Sequence, residues 1–177
     1  PGPPLQARHT DIKGRHAGQR QQAQRVRGTG CLRHAQRHGV RRVVQASSSS
    51  VYGGADVRPT PESTPLMPRS PYAVTKVAAE QYSRVFAELH GLETVRLRYF
   101  NVYGPRQRPD SAYAAVIPLF IDALRAGRAP VVHGDGLQSR DFAFVADIVA
   151  ANLAAATAPA EVRPGKVYNV PGGRERN

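Results

Sequence analysis

Thirteen residues decide the fold: Arg41-Arg-Val-Val-Gln-Ala-Ser-Ser-Ser-Ser-Val-Tyr-Gly53. The part from Arg41 to Ala46 contains adjacent β-branched residues and predicts a short strand. That strand runs directly into four serines. Downstream, helical and strand patterns alternate, with helices predicted at Pro71–His90 and Ile117–Ala126 and a strand at Thr94–Tyr99. This alternation predicts an α/β fold with a largely parallel sheet.

The helix predicted at Pro71–His90 has clear signals at both ends. Ser70 can accept free N–H groups at the helix start, Pro71 suits the first helical position, and Gly91 suits the stop. Further along, the sequence predicts short strands at Val131-Val132 and Val167–Val170. A last helix is predicted to open at or near Asp141, with an apolar stripe interrupted by Asn152. The stripe comprises Val145, Ile148, Val149, Leu153 and Ala156.

Length and composition exclude several classes of protein. A chain of 177 residues is long enough for one domain with a core. Charged residues make up 21% and no long apolar run is present, which excludes a transmembrane protein. The single cysteine, Cys31, excludes an internal disulfide framework and fits a reducing compartment. With no signal peptide visible, we expect a cytoplasmic protein that does not bind membranes.

The net charge of +12 is concentrated at one end of the chain. Residues 1–42 contain ten basic residues and one acid, whereas residues 43–177 contain 15 basic and 12 acidic residues. The first 26 residues show no helical or strand period and no aromatic side chain for stacking on nucleotides. We therefore expect no nucleic-acid partner and interpret residues 1–27 as a basic leader, disordered or artefactual.

Tyr72 and Lys76 lie four residues apart on the predicted helix, and hence on one of its faces. A phenol is a poor base at neutral pH, but an ammonium group a few ångströms away favours the phenolate. Such a phenolate can take the proton of a hydroxyl group while a hydride leaves the carbon that bears that group. By itself the pair is also compatible with a tyrosine at the edge of the core and a solvated lysine.

The serine cluster Ser47–Ser50 follows the first predicted strand at its carboxyl end. In open α/β sheets, ligands bind outside the carboxyl ends of the strands. A serine there can hydrogen-bond the substrate oxygen that Tyr72 deprotonates. A serine run is also typical of flexible linkers, but linkers are not usually flanked by apolar pairs such as Val43-Val44.

Five motifs follow one another along the chain: Ala46-Ser-Ser-Ser-Ser-Val-Tyr-Gly53, Ser70-Pro-Tyr-Ala-Val-Thr-Lys76, Leu97-Arg-Tyr-Phe-Asn-Val-Tyr-Gly-Pro-Arg106, Tyr113-Ala-Ala-Val-Ile-Pro118 and Gly134-Asp-Gly-Leu-Gln-Ser-Arg-Asp-Phe142. Together they resemble the extended short-chain dehydrogenase/reductase family, and more narrowly its NAD-dependent nucleotide-sugar epimerases. The resemblance covers about Gly39 to Arg174. It implies part of a Rossmann-type, doubly wound parallel sheet. Residues 28–100 would form the C-terminal half of the NAD-binding domain, and 101–177 mainly the substrate-binding region with returning strands.

The resemblance also implies how the site works with its cofactor, NAD. Ser48 would be the catalytic hydroxyl and Tyr72 the general base. Lys76 would be the electrostatic partner of Tyr72 and would hold the nicotinamide ribose, while Phe100 would touch the nicotinamide. The hydride at C4 of a UDP-hexose would pass to NAD⁺ and return to the other face of a 4-keto intermediate.

The implied partner is the UDP-sugar substrate, with a homodimer expected for a full-length family member. Asn101 would bind near the diphosphate and Arg140 would pair with it, a role suited to a bidentate guanidinium. Arg174 would be a second phosphate contact. Ala115, Val116 and Pro118 would lie along the uridine, and Val131 would occupy a strand that packs on the base.

Two alternatives to an active C4-epimerase stay open. Related dehydratases usually place an acidic pair directly after the catalytic hydroxyl, where this sequence has Ser49 and Ser50. This pair and the motif Tyr113–Pro118 favour a C4-epimerase over an NAD-dependent dehydratase, a uronate epimerase or a decarboxylase. The family's initial glycine turn has no counterpart, since Gly28-Thr-Gly30 and Gly134-Asp-Gly136 lack the third glycine. The chain is therefore also interpretable as an inactive fragment, incomplete at both ends.

Two other kinds of site have little support. Cys31, His34 and His38 could share one helical face as metal ligands, but a fourth ligand with usable spacing is missing. We therefore expect a solvated helix face and no metal. The chain has no Gly-x-Ser-x-Gly motif, so nothing supports an acyl-transfer hydrolase.

Overall fold

The structure, a computed structural model, describes residues 29–54, 58–109, 116–159 and 165–173. Helices and strands alternate along these ranges. In chain order the elements are helix α1 (29–37), strand β1 (Arg42–Ser48), a 3₁₀ helix (Ser49–Tyr52), helix α2 (Pro71–His90), strands β2 (Glu93–Tyr99) and β3 (Asn101–Tyr103), helix α3 (Val116–Arg125), strand β4 (Phe142–Phe144), helix α4 (Val145–Thr157) and strand β5 (Val167–Val170).

Strands β1, β2 and β5 form a parallel sheet in that spatial order. The register places Ser48 opposite Tyr99, and Tyr99 opposite Val170, so that the three strands end level with one another. We call these three strand ends the carboxyl edge. Strands β3 and β4 form a second parallel pair. The predicted α/β fold with a parallel sheet is confirmed.

The main apolar core lies on one face of the sheet, under α4. Because side chains alternate along a strand, Val95 and Leu97 of β2 point to the same face. Both are almost fully buried and pack with Ile148 and Ala155 of α4. A smaller apolar cluster, formed by Leu32, Ala35 and Leu92, joins α1 to the sheet.

The opposite face of the sheet meets α2 through polar groups. Thr94 and Ser83 have no exposed surface, and the Thr94 Oγ1 donates to the Ser83 carbonyl oxygen at 3.2 Å. Glu80 is 2% exposed and lies in the same layer. Buried polar groups need partners, so this interface depends on directional hydrogen bonds rather than on apolar contact alone.

Helix α2 begins and ends where the sequence predicts. The Ser70 hydroxyl accepts the backbone N–H of Ala73 at 3.1 Å, and Pro71 occupies the first turn. Gly91 ends the helix with φ 64°, a left-handed conformation that favours glycine, and its N–H donates to the Ala87 carbonyl oxygen. Strand β5 also matches its predicted bounds, and β1, β2 and α3 are shifted by at most two residues at an end.

Two predicted elements are wrong. Val131-Val132 is not a strand: both side chains are more than half exposed, and two β-branched residues without a neighbouring strand have no ladder to join. The last helix begins at Val145 rather than near Asp141, because Phe142–Phe144 pairs with β3 instead. The short pattern Phe-Ala-Phe directly precedes the helix and gave no separate strand signal.

The predicted apolar stripe of α4 is also wrong. Val149 and Leu153 are 53% and 62% exposed, while Ile148 and Ala155 are buried and Asn152 is half-buried beside them. Nearly every position of this helix is apolar, so the sequence pattern does not single out one face. The Tyr99 hydroxyl donates to Asn152 Oδ1 at 2.9 Å, which places the polar residue on the sheet side.

Arg42 ties the first strand to the end of α4. Its Nη1 donates to the carbonyl oxygens of Ala155 and Ala158, at 3.0 and 2.6 Å, where the helix leaves acceptors unpaired. Its Nη2 lies 2.7 Å from Glu93 Oε2, and the Arg42 side chain is 6% exposed. The ion pair lies at the opposite end of the sheet from the carboxyl edge, since Arg42 and Glu93 open β1 and β2.

Within the described ranges, every helix is too short or too polar to cross a lipid bilayer.

Candidate active site

The carboxyl edge brings the serine cluster and the start of α2 to one end of the sheet. Ser48 ends β1 in an extended conformation and caps the 3₁₀ helix. Its Oγ accepts the Ser50 backbone N–H at 3.2 Å. Because that hydroxyl oxygen serves as the acceptor, its own proton stays available to donate to a ligand.

Tyr72 and Lys76 lie on the first two turns of α2. The Lys76 Nζ is 5.5 Å from the centre of the Tyr72 ring. The same Nζ donates to the carbonyl oxygen of Ala46 in β1 at 3.0 Å, which connects the pair to the strand that Ser48 ends. Tyr72 is 42% exposed, so a ligand can reach its ring and hydroxyl. The predicted juxtaposition of Tyr72 and Lys76 is present.

Burial gives the Lys76 amine an unusual electrostatic setting. Desolvation lowers its pKa below the ordinary value of 10.5. The ammonium still carries two N–H groups beyond the one that binds Ala46. The Lys76 amine therefore has donors left with which it can bind a ligand beside the Tyr72 ring.

Phe100 and Asn101 follow β2 at the carboxyl edge. The Phe100 N–H donates to the Val170 carbonyl oxygen at 3.3 Å, which joins the ends of β2 and β5. The backbone N–H and the side-chain Nδ2 of Asn101 both donate to the Asp141 carbonyl oxygen, at 3.0 and 2.9 Å. Both residues are half-buried. The side-chain amide of Asn101 is therefore fixed in orientation beside this edge.

Asp141 completes this junction, although the sequence suggested only a helix start there. Its Oδ1 accepts the Gly172 N–H at 2.7 Å. A Cβ at Gly172 would clash with the Phe142 carbonyl group, so only glycine allows this approach. Arg140 precedes Asp141, is exposed, and donates from Nη1 to the Ser139 carbonyl oxygen at 2.7 Å.

A cleft of about 460 Å³ lies between the end of β3 and α3. Pro118 lines it, together with Ile121 and the two arginines Arg106 and Arg125. Arg106 has φ 68°, an uncommon conformation for a residue with a side chain.

The remaining predicted substrate residues lie elsewhere or outside the described ranges. Val116 is the first residue of α3 and is 40% exposed. Val131 is 70% exposed and lies on no strand, which corrects the strand position expected for it. Ala115 and Arg174 lie outside the described residues.

A buried hydrogen-bonded network behind the site was not predicted. The Arg98 guanidinium donates to both carboxylate oxygens of Glu80, from Nε at 2.9 Å and from Nη2 at 2.7 Å. Its Nη1 donates to the Tyr52 hydroxyl at 2.7 Å, which in turn donates to Asn169 Oδ1 at 2.7 Å. Ser47 Oγ donates to Glu80 Oε1. Burial opposes the charge of Arg98, but the bonds to Glu80 and Tyr52 outweigh it and raise the pKa of the guanidinium.

The sequence did contain a signal for this network. Arg96 and Arg98 alternate with apolar residues in a strand whose pattern indicates burial. Charged residues are almost never fully buried without a partner. Glu80 lies four residues after Lys76 on the same helical face.

The structure places the cysteine and histidines of the metal motif and the glycines of the two candidate phosphate turns as follows. Cys31 is exposed, the His34 and His38 rings are 4.2 Å apart, and no group of three metal-ligating side chains occurs within residues 29–54, 58–109, 116–159 and 165–173. Gly30 lies within α1, not in a turn between a strand and a helix. Gly134 and Gly136 form a turn that follows no strand.

The chain is similar to known proteins in both sequence and structure. The chain is 41% identical over 125 residues to a putative UDP-glucose 4-epimerase of Methanocaldococcus jannaschii, covering 70% of this chain and 41% of the relative. It is 39% identical to the dTDP-D-glucose 4,6-dehydratase of Mus musculus, covering 75% and 35%. Among solved structures, the UDP-N-acetylglucosamine 4-epimerase of Methanobrevibacter ruminantium M1, in complex with UDP-N-acetylmuramic acid, is 44% identical, with a TM-score of 0.76 over 80% of this chain and 44% of that one.

The chain thus spans less than half the length of these relatives. The model of the NAD dependent epimerase/dehydratase family matches residues 22–171, which include the carboxyl edge and the start of α2. The chain belongs to the NAD dependent epimerase/dehydratase family.

Proposed function

We propose that the protein epimerises a UDP-hexose at C4 with NAD as its cofactor. The observation that carries this proposal is the Tyr72–Lys76 pair, joined by the Lys76–Ala46 hydrogen bond to the strand that ends at Ser48. A base, a cation and a hydroxyl donor are the groups needed to move a proton on and off a sugar hydroxyl.

The residues at the carboxyl edge fit the nicotinamide half of NAD. The Lys76 ammonium has donors to spare for ribose hydroxyls, and Phe100 offers an aromatic surface at the end of β2. Parallel sheets bind dinucleotides outside this edge. When bound, NAD⁺ would accept a hydride from the sugar C4 and return it to the opposite face.

The side chains have distinct tasks in this proposal. Tyr72 takes the proton of the 4-hydroxyl as phenolate and returns it later. Lys76 stabilises that phenolate by its charge. Ser48 donates its hydroxyl proton to the same sugar oxygen while its Oγ accepts the Ser50 N–H. The protein orients and polarises the substrate.

The nucleotide part of the substrate would lie further along the same edge. Asn101 is fixed by Asp141 beside the end of β2, and Arg140 is next to Asp141 in sequence. Pro118 lines the cleft that also holds Arg106 and Arg125. An apolar wall with guanidinium groups suits a base and a diphosphate.

A dehydratase is the second candidate, because dehydratases are among the relatives in both sequence and structure. Elimination needs an acid and a base near the sugar in addition to the hydride carrier. The positions after Ser48 hold Ser49 and Ser50, whose hydroxyls do not ionise near neutral pH. This favours epimerisation. We also propose that the protein acts in the cytoplasm and that its full-length form is a homodimer. Light scattering in solution would test the homodimer.

The test is product analysis by NMR with NAD⁺ and each of UDP-glucose, UDP-N-acetylglucosamine and dTDP-glucose. We expect the C4-epimer of a UDP-hexose, and Tyr72→Phe should lower the rate by about 100-fold or more, since it removes the general base. Tyr82→Phe is the matched control, because Tyr82 is exposed on the same helix. A 4-keto-6-deoxy sugar as the product, or equal rates for both variants, would contradict the proposal.

A further inference from the structure

A buried ion pair joins α2 to the sheet, in addition to the hydrogen bonds of Ser83 and Lys76. Glu80 and Arg98 have side chains that are 2% and 4% exposed, and both carboxylate oxygens of Glu80 are used. Ser47 of β1 donates to the same carboxylate. Charge-assisted, bidentate hydrogen bonds fix the relative position of two groups more strictly than apolar contacts, which are not directional. Glu80 thus holds α2 to β1 and β2 at one point.

That point lies directly behind the candidate active site. Glu80 follows Lys76 by one helical turn and Tyr72 by about two, which is about 6 and 12 Å along the helix axis. Helices move as rigid rods over such a length, so a slip at Glu80 would displace Lys76 and Tyr72 by the same amount. The Lys76–Ala46 hydrogen bond would change with that displacement.

The same network also fixes the neighbours of Ser48. Ser47 binds Glu80, and Tyr52 accepts from Arg98 Nη1 while donating to Asn169. Ser48 therefore lies between two residues that are tied to one buried charge cluster. Displacement of reacting groups by about 1 Å can lower a rate about 100-fold.

We propose that Glu80 and Arg98 are positioning residues, which set the distance between the Tyr72–Lys76 pair on α2 and Ser48 at the carboxyl edge. The kinetic part of this inference rests on the proposed function. The geometric part does not, because it concerns the Lys76–Ala46 contact alone.

The protein offers a control in a partly buried pair. Glu93 and Arg42 join β2 and β1 by an ion pair of 2.7 Å at the amino ends of the strands. Glu80→Gln and Glu93→Gln each remove one charge and keep the shape. We expect Glu80→Gln to lower kcat by about tenfold or more with KM changed by less than about threefold, and Glu93→Gln to leave both nearly unchanged.

A second readout needs no turnover. The chain has three lysines, so dimethylation with ¹³C formaldehyde gives a simple spectrum in which the Lys76 resonance can be titrated. In Glu80→Gln, we expect the pKa of Lys76 to move toward its ordinary value as the amine leaves Ala46, while Glu93→Gln keeps the wild-type titration. Should Glu80→Gln fail to fold, Ser47→Ala removes one hydrogen bond from the same carboxylate and serves the same comparison.

The two readouts separate the two proposals. If the wild type turns over no UDP-hexose, the proposed function fails and the Lys76 titration alone decides the positioning role. A Glu80→Gln protein that is folded and titrates like the wild type at Lys76 would overturn that role.

Discussion

Lys76 lies beside Tyr72 and binds β1. Its Nζ is 5.5 Å from the centre of the Tyr72 ring and 3.0 Å from the Ala46 carbonyl oxygen, so this side chain connects α2 to β1. The spacing of four residues was enough to predict that Tyr72 and Lys76 share a helical face. The bond to Ala46 was not predictable, because it depends on how the helix lies over the strand.

The partial burial of Lys76 predicts a pH dependence of stability. Its pKa in the folded protein is below 10.5, the value expected in the unfolded chain, because burial penalises the charge. Between these two values the unfolded state holds a proton that the folded state has lost. Stability from this residue therefore rises with pH through that window, and below it the folded state bears the cost of a buried charge.

We expect the unfolding free energy of the wild type, minus that of Lys76→Gln, to become more positive as the pH rises toward 10.5. Urea unfolding at a series of alkaline pH values measures it. Lys166→Gln, at an exposed lysine, is the matched control. A difference that stays constant with pH would show that Lys76 is not desolvated.

The buried ion pair between Glu80 and Arg98 could be predicted from the sequence only in part. An arginine inside a buried strand requires a partner, and Glu80 is on the helix that covers that strand. Yet Arg96 and Arg98 both face α2, and only the fold shows that Arg98 takes the carboxylate while Arg96 donates to the Glu80 backbone. The choice depends on register, which a single sequence does not reveal.

Helices α2 and α4 differ in how well the sequence defines them. Helix α2 has a serine cap and a glycine stop, so both ends were predictable. Helix α4 has no side-chain cap at its start, and its residues are apolar on all sides. Neither its first residue nor its buried face could therefore be read from the pattern, and β4 in front of it was missed.

The carboxyl end of α4 should depend on Arg42. Arg42→Met removes the ion pair with Glu93 and the hydrogen bonds to the last carbonyl oxygens of the helix. Because the groups left behind are largely buried, we expect a loss of about 3 kcal/mol of stability. Urea unfolding measures the loss. We also expect faster hydrogen exchange of the backbone amides in the last turn of α4.

The matched control is the exposed pair of Arg128 and Asp122, whose side chains are 65% and 55% exposed. Arg128→Met should change stability by less than about 0.5 kcal/mol, since solvent screens such pairs. Equal losses in the two variants would show that Arg42 does not stabilise α4.

Across the fold, the alternation of helical and strand patterns predicted the parallel sheet. The order β1-β2-β5 was not predictable, because β3, α3, β4 and α4 intervene before the chain returns to the sheet. The boundaries at residues 27/28 and 100/101 stay predictions. The chain spans less than half the length of its relatives, and an assay of the purified protein tests the proposed activity.

The most direct test follows a deuterium atom at C4 of UDP-glucose and of UDP-N-acetylglucosamine through the reaction with NAD⁺. Epimerisation by removal and return of one hydride leaves the label on C4 of the product with inverted configuration, and NMR locates it. We expect a C4-deuterated epimer from one of the two substrates. Transfer of the deuterium to C6 of a 4-keto-6-deoxy product, or its loss to water, would contradict C4 epimerisation.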